Sequence, residues 1–394
     1  MAITFIQQPY FISPTGNPIN FVASGDSHLS NFKYKIEVID TPTSDILYSE
    51  FKLPYPINGF GWINMQRILE PFTNYDVLGL VNKPSGWQTA NVYRQYNVRV
   101  TEFIGSASAD TDTSGNLYAY NGAYNVKEWE ALDYQSLIIP ATGTTGKFLT
   151  DRRNIKVRLG ESYEVGVIAG IGIGTTNAAF LRIEYFDEGG SLINQTTISN
   201  TDVTAPTAHF KRILVGPADI VMTSPQYSSY RISVENDANE RVSHYINFEL
   251  DTSCVRGEVA RVHYLNRYGR FDSFTFTRPY SQNTRVDAKE YSRIRGAMGG
   301  SGYTYTKQEA GIVQYNTKFD ELYTFRADYL TDEESAALFE MAQSPAIFWE
   351  VSSGVLIPLI LDTREFERRY ISKDKLFDAE MTFRVAYNQF RQQL

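Results

Sequence analysis

Cysteine is almost missing from this chain: Cys254 is the only one in 394 residues. That excludes a disulfide framework within the chain and any multi-cysteine zinc site, so stapled extracellular export is not expected. Histidine is scarce as well. His28, His209, His244 and His263 show no metal-ligand spacing, so neither a metal nor a cofactor is expected. Long apolar runs are missing too; none approaches the roughly 18 residues of a membrane span. The opening MAITFIQQPYFISPTGNP carries no positive charge before its apolar residues, and Gln7 and Gln8 interrupt them, so it does not read as an export signal. The expected product is soluble, made in a bacterial cytoplasm and released from it by lysis. Positive charge is in deficit: Asp and Glu outnumber Lys and Arg, 45 to 37, for a net charge of −8. A general nucleic-acid grip needs a basic face, so none is expected. An acidic wall would still let DNA pass along a channel without sticking.

What the chain has in quantity is aromatic residues, 14% of the whole, led by 27 Tyr and 24 Phe. Disordered chains are poor in these, and a chain this long buries roughly 75% of its unfolded surface without staples. The dominant pattern is alternation. In FKYKIEVID (32–40), Phe32, Tyr34, Ile36 and Val38 fall on one face and Lys33, Lys35 and Glu37 on the other, the period of a half-buried strand. NVYRQYNVRVTEF (91–103), NIKVRL (154–159), AFLRIEYF (179–186), YRISVEN (230–236) and HYINFEL (244–250) read alike. Turn residues such as Asp187-Glu188-Gly189-Gly190 separate them. Many short strands with such turns make a mainly β protein of sandwiches or barrels.

One segment reads as a strong helix. Thr331-Asp332-Glu333-Glu334 has the form of a capping box, Leu338, Met341 and Ala342 follow on one face, and Ser344-Pro345 ends the run. INMQRILEPF (63–72) is a shorter candidate, one or two turns before Pro71. Composition changes place boundaries near 105, 138 and 252: an N-terminal Ig-like sandwich (1–105), a Ser/Asp/Thr/Gly-rich hairpin arm or linker (106–138), a second sandwich (139–252) and a C-terminal block (253–394). In the last block FDELYTFRADY (319–329) and FDAEMTFRVAY (377–387) repeat one another, with FDSFTFTRPY (271–280) as a looser copy. Strand geometry puts Phe319, Phe325 and Tyr329 on one face, likewise Phe377, Phe383 and Tyr387, with Asp320 and Arg326 opposite. A closed or nearly closed sheet with the helix outside it is expected, chance similarity of amphipathic strands being the alternative.

Several motifs imitate chemistry and lack a part it needs. ATGTTGKF (141–148) approaches a phosphate-binding loop, but Phe148 stands where Ser or Thr must hold magnesium, and strands follow instead of a helix. GIGIG (170–174) likewise precedes a strand. Gly25-Asp26-Ser27 has the look of an esterase nucleophile block, yet no base and carboxylate are presented to it; His28 is merely adjacent. Asp110, Asp112, Ser114 and Gly115 open like a calcium loop whose twelfth position, Asn121, is no bidentate Glu. Glu102, Glu130 and Glu184 could supply a glycosidase pair only by spatial assembly; solvated strand carboxylates are the plainer reading. Asn194-Gln195-Thr196 matches a glycosylation acceptor on paper only. No enzyme is expected.

RIRGAMGGSGYTYTKQ (293–308) reads as interaction instead. Long Gly/aromatic loops inside a compact domain usually bind something or are mobile, and Tyr, Met and Arg are enriched at protein interfaces. Arg295, Met298, Tyr303 and Tyr305 are therefore the candidate subunit-interface residues, with an ordinary disordered loop as the alternative.

VARVHYLNRYGRFDSFTF (259–276) resembles a run of the type W-x-YLNRYGGxDxFxF in virion structural proteins of tailed phages infecting Bacteroidota, including crAss-like phages. NPINFVASGD (17–26), NFKYKIEVID (31–40), GFGWINMQRILEPF (59–72), KFLTDRRNIKVRLGESYEV (147–165) and the ending from TDEESAALFEMAQSPAIFWEV through LFDAEMTFRVAYNQ are similar to the same proteins. The chain departs from the pattern at Arg270, where the second Gly is usual, and at Val262 in place of an aromatic. The resemblance implies no catalytic residues. It implies a tail, baseplate or collar component whose C-terminal block is a barrel-plus-helix module like those of tail tubes and distal-tail proteins. Such modules close into rings through head-to-tail contacts. The expected partners are copies of the chain and neighbouring tail or connector proteins, with DNA passing through a lumen, no specific nucleic-acid binding and no membrane; the expected location is the virion. The rival reading is a receptor- or carbohydrate-binding β-sandwich protein.

Overall fold

The computed structural model describes the chain except residues 1–2, 27–30, 84, 91, 126, 128–136, 170–177, 201–209, 221, 223–225, 254–256, 364–376, 388 and 391–394. Cys254, His28, His209, Glu130 and the 170–174 glycines lie outside the described residues. The fold is mainly β, with several sheets and few helices. Among the described residues no helix is long and apolar enough to cross a membrane. The chain divides into two compact units, 1–253 with 264–273, and 254–263 with 274–394.

In the first unit, alternation becomes a sheet in the order Ile12–Pro14, Leu117–Tyr120, Tyr93–Ile104, Phe32–Asp40, Ile46–Lys52. Phe32, Tyr34, Ile36 and Val38 are all buried. Glu37 departs from the expected solvent face. It is buried beneath Lys35 and Arg99, which reach its two carboxylate oxygens at 2.7 Å each, so the outer face is roofed by an ion-pair network rather than by water. In the stretch expected as a hairpin arm or linker, 106–138, Ala107–Thr113 and Leu117–Tyr120 are both paired with Tyr93–Ile104. A second sheet runs Asn154–Val157, Ile246–Leu250, Ser229–Glu235, Phe180–Phe186, Leu192–Ser199. The Asp187–Gly190 turn closes its hairpin, with Gly190 at φ +76° and its N–H donating to the Asp187 carbonyl.

Two features tie these sheets into one unit. Trp87–Thr89 leaves the N-terminal block and becomes the edge strand beside Phe210–Leu214 and Glu164–Ile168. Trp87 itself sits in the core formed by Ile155, Leu181, Ile232 and Phe248. Another buried cluster draws on segments far apart in the sequence, Ile12, Tyr118, Leu149, Phe210 and Tyr268 among them. Each such side chain contributes about 1.5–3 kcal/mol by leaving water.

The second unit is built on a sheet in the order Phe271–Phe276, Ala260–Leu265, Ile347–Ser352, Val355–Leu361, Phe377–Val385, Ile312–Leu330, Arg278–Ser292. The two similar segments are each other's neighbours. They pair antiparallel with the equivalent Thr324 and Thr382 directly opposite, their hydroxyls 3.0 Å apart. Phe325 and Phe383 are buried with ring centroids 5.4 Å apart. Opposite them Arg326 meets Glu380 at 3.0 Å and Arg384 meets Asp320 at 3.6 Å. Tyr329 does not share the face of Phe325: the register shifts between Ala327 and Leu330, Tyr329 takes φ +57°, and its side chain is 66% exposed. Tyr387 is exposed as well, and nothing is described of the Phe377 side chain. The helix Asp332–Gln343 carries the full capping box. Thr331 Oγ1 accepts from Glu334 N at 3.2 Å, and Glu334 Oε2 accepts from Thr331 N at 2.8 Å. Its buried Leu338 and Met341 face the strands Ile312–Leu330 and Phe377–Val385. INMQRILEPF forms a short helix at Gln66–Leu69 followed by a 3-10 turn at Glu70–Phe72.

Candidate functional site

Arg295, Met298, Tyr303 and Tyr305 do not lie on a shapeless loop. Arg278–Ser292 and Ile312–Leu330 pair with one another over most of their length. The second of them pairs with Phe377–Val385 through 322–330 and with Gln389–Phe390 at 318–319, so residues 288–317 continue as a two-stranded ribbon. Cross-strand neighbours hold the register of the pair: at the base of the ribbon Asp287 faces Lys318 and Arg285 faces Asp320, and within it Gln314 donates to Glu290 at 2.9 Å. Opposite charges placed this way each contribute a few tenths of a kcal/mol.

At the end sits a small hairpin, Ala297–Gly299 with Gly302–Thr304, in which Met298 is the direct partner of Tyr303. The glycines the sequence shows there have physical jobs. Gly296 is at φ +83°, and a Cβ on it would lie 2.3 Å from the Thr304 carbonyl oxygen. Its N–H donates to Glu309, while Arg293 N donates to Gly311 O at 2.9 Å. The tip is thereby folded on itself, yet its large side chains point outward. Ile294 is 86% exposed, Met298 79% and Tyr305 65%, and Tyr303, Tyr291, Ile312, Tyr315 and Val286 are exposed along the same ribbon. Two-stranded ribbons are marginal in water alone. The strand Arg278–Ser292 is also the last in its sheet, leaving an edge able to pair with another chain. The tyrosines, Met298 and glycines were legible in sequence; the ribbon was not, because its polar alternation Arg-Val-Asp-Ala-Lys-Glu resembles a solvated loop.

The run that carries the family resemblance has a different office. Asn266 Oδ1 accepts from the N–H groups of Tyr268 and Arg270, at 3.0 Å each, closing the turn. Its Nδ2 donates to Leu149 O at 2.9 Å and to Asp272 at 3.0 Å. Asp272, fully buried, also receives Thr150 Oγ1 at 2.9 Å and Tyr163 OH at 3.2 Å. Burial raises its pKa against the pull of these donors and of Arg152. Tyr268 OH donates to Asp151 at 2.6 Å, and Arg267 pairs with the same carboxylate. Arg270 pairs with buried Glu164, whose pKa burial raises while Arg270 and Arg212 pull it down. Gly166 has no Cβ because Arg270 occupies that space, with Cγ 2.9 Å from where one would stand. Asn266, Tyr268, Arg270 and Asp272 thus clasp segment 147–165, another of the runs that carry the resemblance.

Phe148 is buried in the core and no helix follows it. Asp110 accepts from Ile3 N and Ser114 from Val98 N, both at 2.9 Å. Glu184 is held by Arg231 at 2.6 Å, whereas Glu102 accepts from Asp26 N at 3.1 Å. Burial, with Asp26 and Asp110 nearby, raises the Glu102 pKa. His263 contacts Glu350 at 3.1 Å, beside Arg261. Among the described residues no three His, Cys, Asp or Glu side chains gather to hold a metal.

No family model matches the chain, and no curated protein matches it. Among solved structures it is similar to dimeric latent PorU from Porphyromonas gingivalis, at 10% identity and a TM-score of 0.21. That likeness covers 82% of this chain and 32% of PorU, so the chain spans about a third of that protein's length.

Proposed function

We propose that the chain is a virion structural protein of a tailed phage, forming a homo-oligomeric ring in the tail, tail hub or baseplate, or head-tail connection. In this reading the first unit is a tandem pair of β-sandwiches, and the second is a barrel-like module with its helix packed outside, as in tail tubes and distal-tail proteins. The observation that carries it is the ribbon of residues 288–317, an edge-strand arm whose Tyr, Met and Ile side chains are largely exposed among the described residues. A head-to-tail ring needs a second, different surface on each copy. Phe51, Leu53, Tyr55, Ile57 and Trp62, all exposed on the first unit, supply an apolar tract of that kind. The resemblance of the runs 17–26, 59–72, 147–165 and 259–276 to phage virion proteins supports the same reading. The function is mechanical: neighbours bury arm surface, and the acidic balance of the chain lets genome DNA pass.

Replacing Tyr303 and Tyr305 together by Ala tests it. Both side chains stand in solvent, so the monomer should fold with unchanged unfolding behaviour while assembly, followed by light scattering, weakens by at least ten-fold, about 1.4 kcal/mol. Rings that persist in the double variant would sink the interface. The carbohydrate-binding reading is separated by a glycan array, on which the ring-forming protein should give no signal.

A further inference from the structure

The strand Leu192–Ser199 is the outermost of its five-stranded sheet, and among the described residues it pairs with Phe180–Phe186 alone. Its sequence, Leu-Ile-Asn-Gln-Thr-Thr-Ile-Ser, contains no charged residue and no proline, and every side chain but that of Ile198 is exposed. An open sheet edge can pair with another chain, and proteins usually guard such edges with charge, proline or shortness. Other edges of this chain follow that rule. Asn154–Val157, on the far side of the same sheet, is four residues long and carries Lys156. Ile46–Lys52 carries Glu50 and Lys52, and the three-residue Ile12–Pro14 ends in proline.

One bond fixes which way the main chain of the edge strand points. Asn200 N donates to Ala179 O at 2.7 Å, toward the neighbouring strand. Antiparallel alternation then turns Ile198, Thr196 and Asn194 inward to Leu181, Ile183 and Tyr185, and turns the N–H and C=O of Gln195, Thr197 and Ser199 outward. On the inner side the strand is fastened. The indole of buried Trp87 donates from Nε1 to Ile198 O at 3.0 Å, and Ile198 packs against the core. On the outer side the Gln195 N–H donates to Asn194 Oδ1 at 2.8 Å, an exposed bond within the strand itself. The register shift that skips Ile193 ends the regular stretch, so residues 195–199 form the open ladder.

We propose that this edge pairs with the same edge of a second copy, antiparallel about a two-fold axis at Thr197, so that two five-stranded sheets join into one. The strand is complementary to itself. A two-fold axis normal to the sheet keeps each face on its own side, so Thr197 meets Thr197, Gln195 meets Ser199 and Thr196 meets Ile198. Thr–Thr and β-branched neighbours of this kind are favourable cross-strand pairs. The outward residues of the two copies exchange about six main-chain hydrogen bonds, and Gln195 N gives up Asn194 Oδ1 for one of them. No charge is placed directly opposite a like charge. The Arg182 side chains, beside Thr197 on the next strand in, stand about 14 Å apart at ordinary strand spacing, beyond the screening length at physiological salt. Each is also paired with Glu235 at 2.7 Å. A contact of one strand per copy belongs to the weak class of interfaces, so dimers are expected at about 10–100 μM chain. The contact is isologous, unlike the head-to-tail contacts of a ring, and does not rest on the ring reading.

The test uses the full chain carrying Tyr303→Ala and Tyr305→Ala, which removes the arm contact and leaves this edge intact. Sedimentation velocity up to about 0.1 mM should show a monomer–dimer equilibrium. Adding Thr197→Lys sets two lysines opposite one another and should raise the dimerisation midpoint about five-fold or more, as should Thr197→Glu. An equimolar mixture of the Lys and Glu variants should recover the midpoint to within about three-fold. Without any change at Thr197, the amides of Thr197 and Ser199 should exchange about two-fold more slowly, or slower still, at the high end of that concentration range. A monomer throughout with unchanged exchange, dimers indifferent to both charges, or a mixture no stronger than either variant alone would each overturn the proposal. The exchange measurement decides even where a Thr197 variant does not fold. Rings that never form would leave a Thr197-dependent dimer in place, so the two readings fail separately.

Discussion

Replacing Arg270 by Ala removes a guanidinium whose side chain is 3% exposed and leaves Glu164, 1% exposed, with half its support. What remains is Arg212, itself held by Asp76 at 3.0 Å. Breaking a buried ion pair from one side typically destabilises by about 3–5 kcal/mol, and the surviving Arg212 puts the expected loss at the lower end, about 3 kcal/mol. In a unit of this size that lowers the midpoint of thermal unfolding by roughly 6–12 °C. The pH dependence has a definite sign. Burial, only partly offset by the two arginines, raises the Glu164 pKa above the ordinary carboxyl range. A carboxyl raised in the folded state keeps its proton there to higher pH than in the unfolded chain. Stability from this group is therefore greatest in acid and falls as pH rises through the window above 4.5. Loss of Arg270 pushes Glu164 further up, so the deficit should be full at neutral pH and shrink on acidification. Arg270→Ala combined with Glu164→Gln should recover at least about 1 kcal/mol of it. Thermal and urea unfolding across pH measure all three. A deficit under about 1 kcal/mol, or one that ignores pH and the second substitution, would refute the view that this pair fastens segment 264–273 to its strand.

Gly269→Ala should destabilise by several kcal/mol, because Gly269 sits at φ +73° and a Cβ would lie 1.7 Å from the Asn121 carbonyl oxygen. Gly105→Ala, at φ +65° with open space around it, should lose only about 1–2 kcal/mol, and urea midpoints compare the two. Phe325→Ala empties a site between Phe276, Phe383 and Trp349 and should lose about 3–5 kcal/mol of second-unit stability, measured by hydrogen exchange of the strand Phe377–Val385. Thr331→Ala removes a cap that serves Glu334 N and should lose about 1 kcal/mol, with faster exchange confined to the first turn of the helix.

Elements governed by local chemistry were legible from the residues alone. The strand Phe32–Asp40 begins and ends where its alternation does, and the Thr331 box caps the helix it announced. What escaped was set by partners far along the chain. Glu37 reads as a solvated residue until Arg99 is brought across from the neighbouring strand. Asn266 and Asp272 look like turn residues, while their partners Leu149, Thr150 and Tyr163 stand more than 100 positions away. A bulge no pattern announces turned Tyr329 outward. The Tyr and Met residues of 297–305 were marked as a contact surface by composition, but their delivery at the end of a paired ribbon depends on register between Arg278–Ser292 and Ile312–Leu330.

The central claim, a self-assembling ring, is tested most directly by size-exclusion chromatography with light scattering on the purified chain, followed by negative-stain imaging of the early-eluting material. Closed rings of uniform copy number, lost in the Tyr303→Ala, Tyr305→Ala variant, are the result the account predicts. A monomer at every concentration, together with a specific glycan-array signal, would contradict it and put the carbohydrate-binding reading in its place.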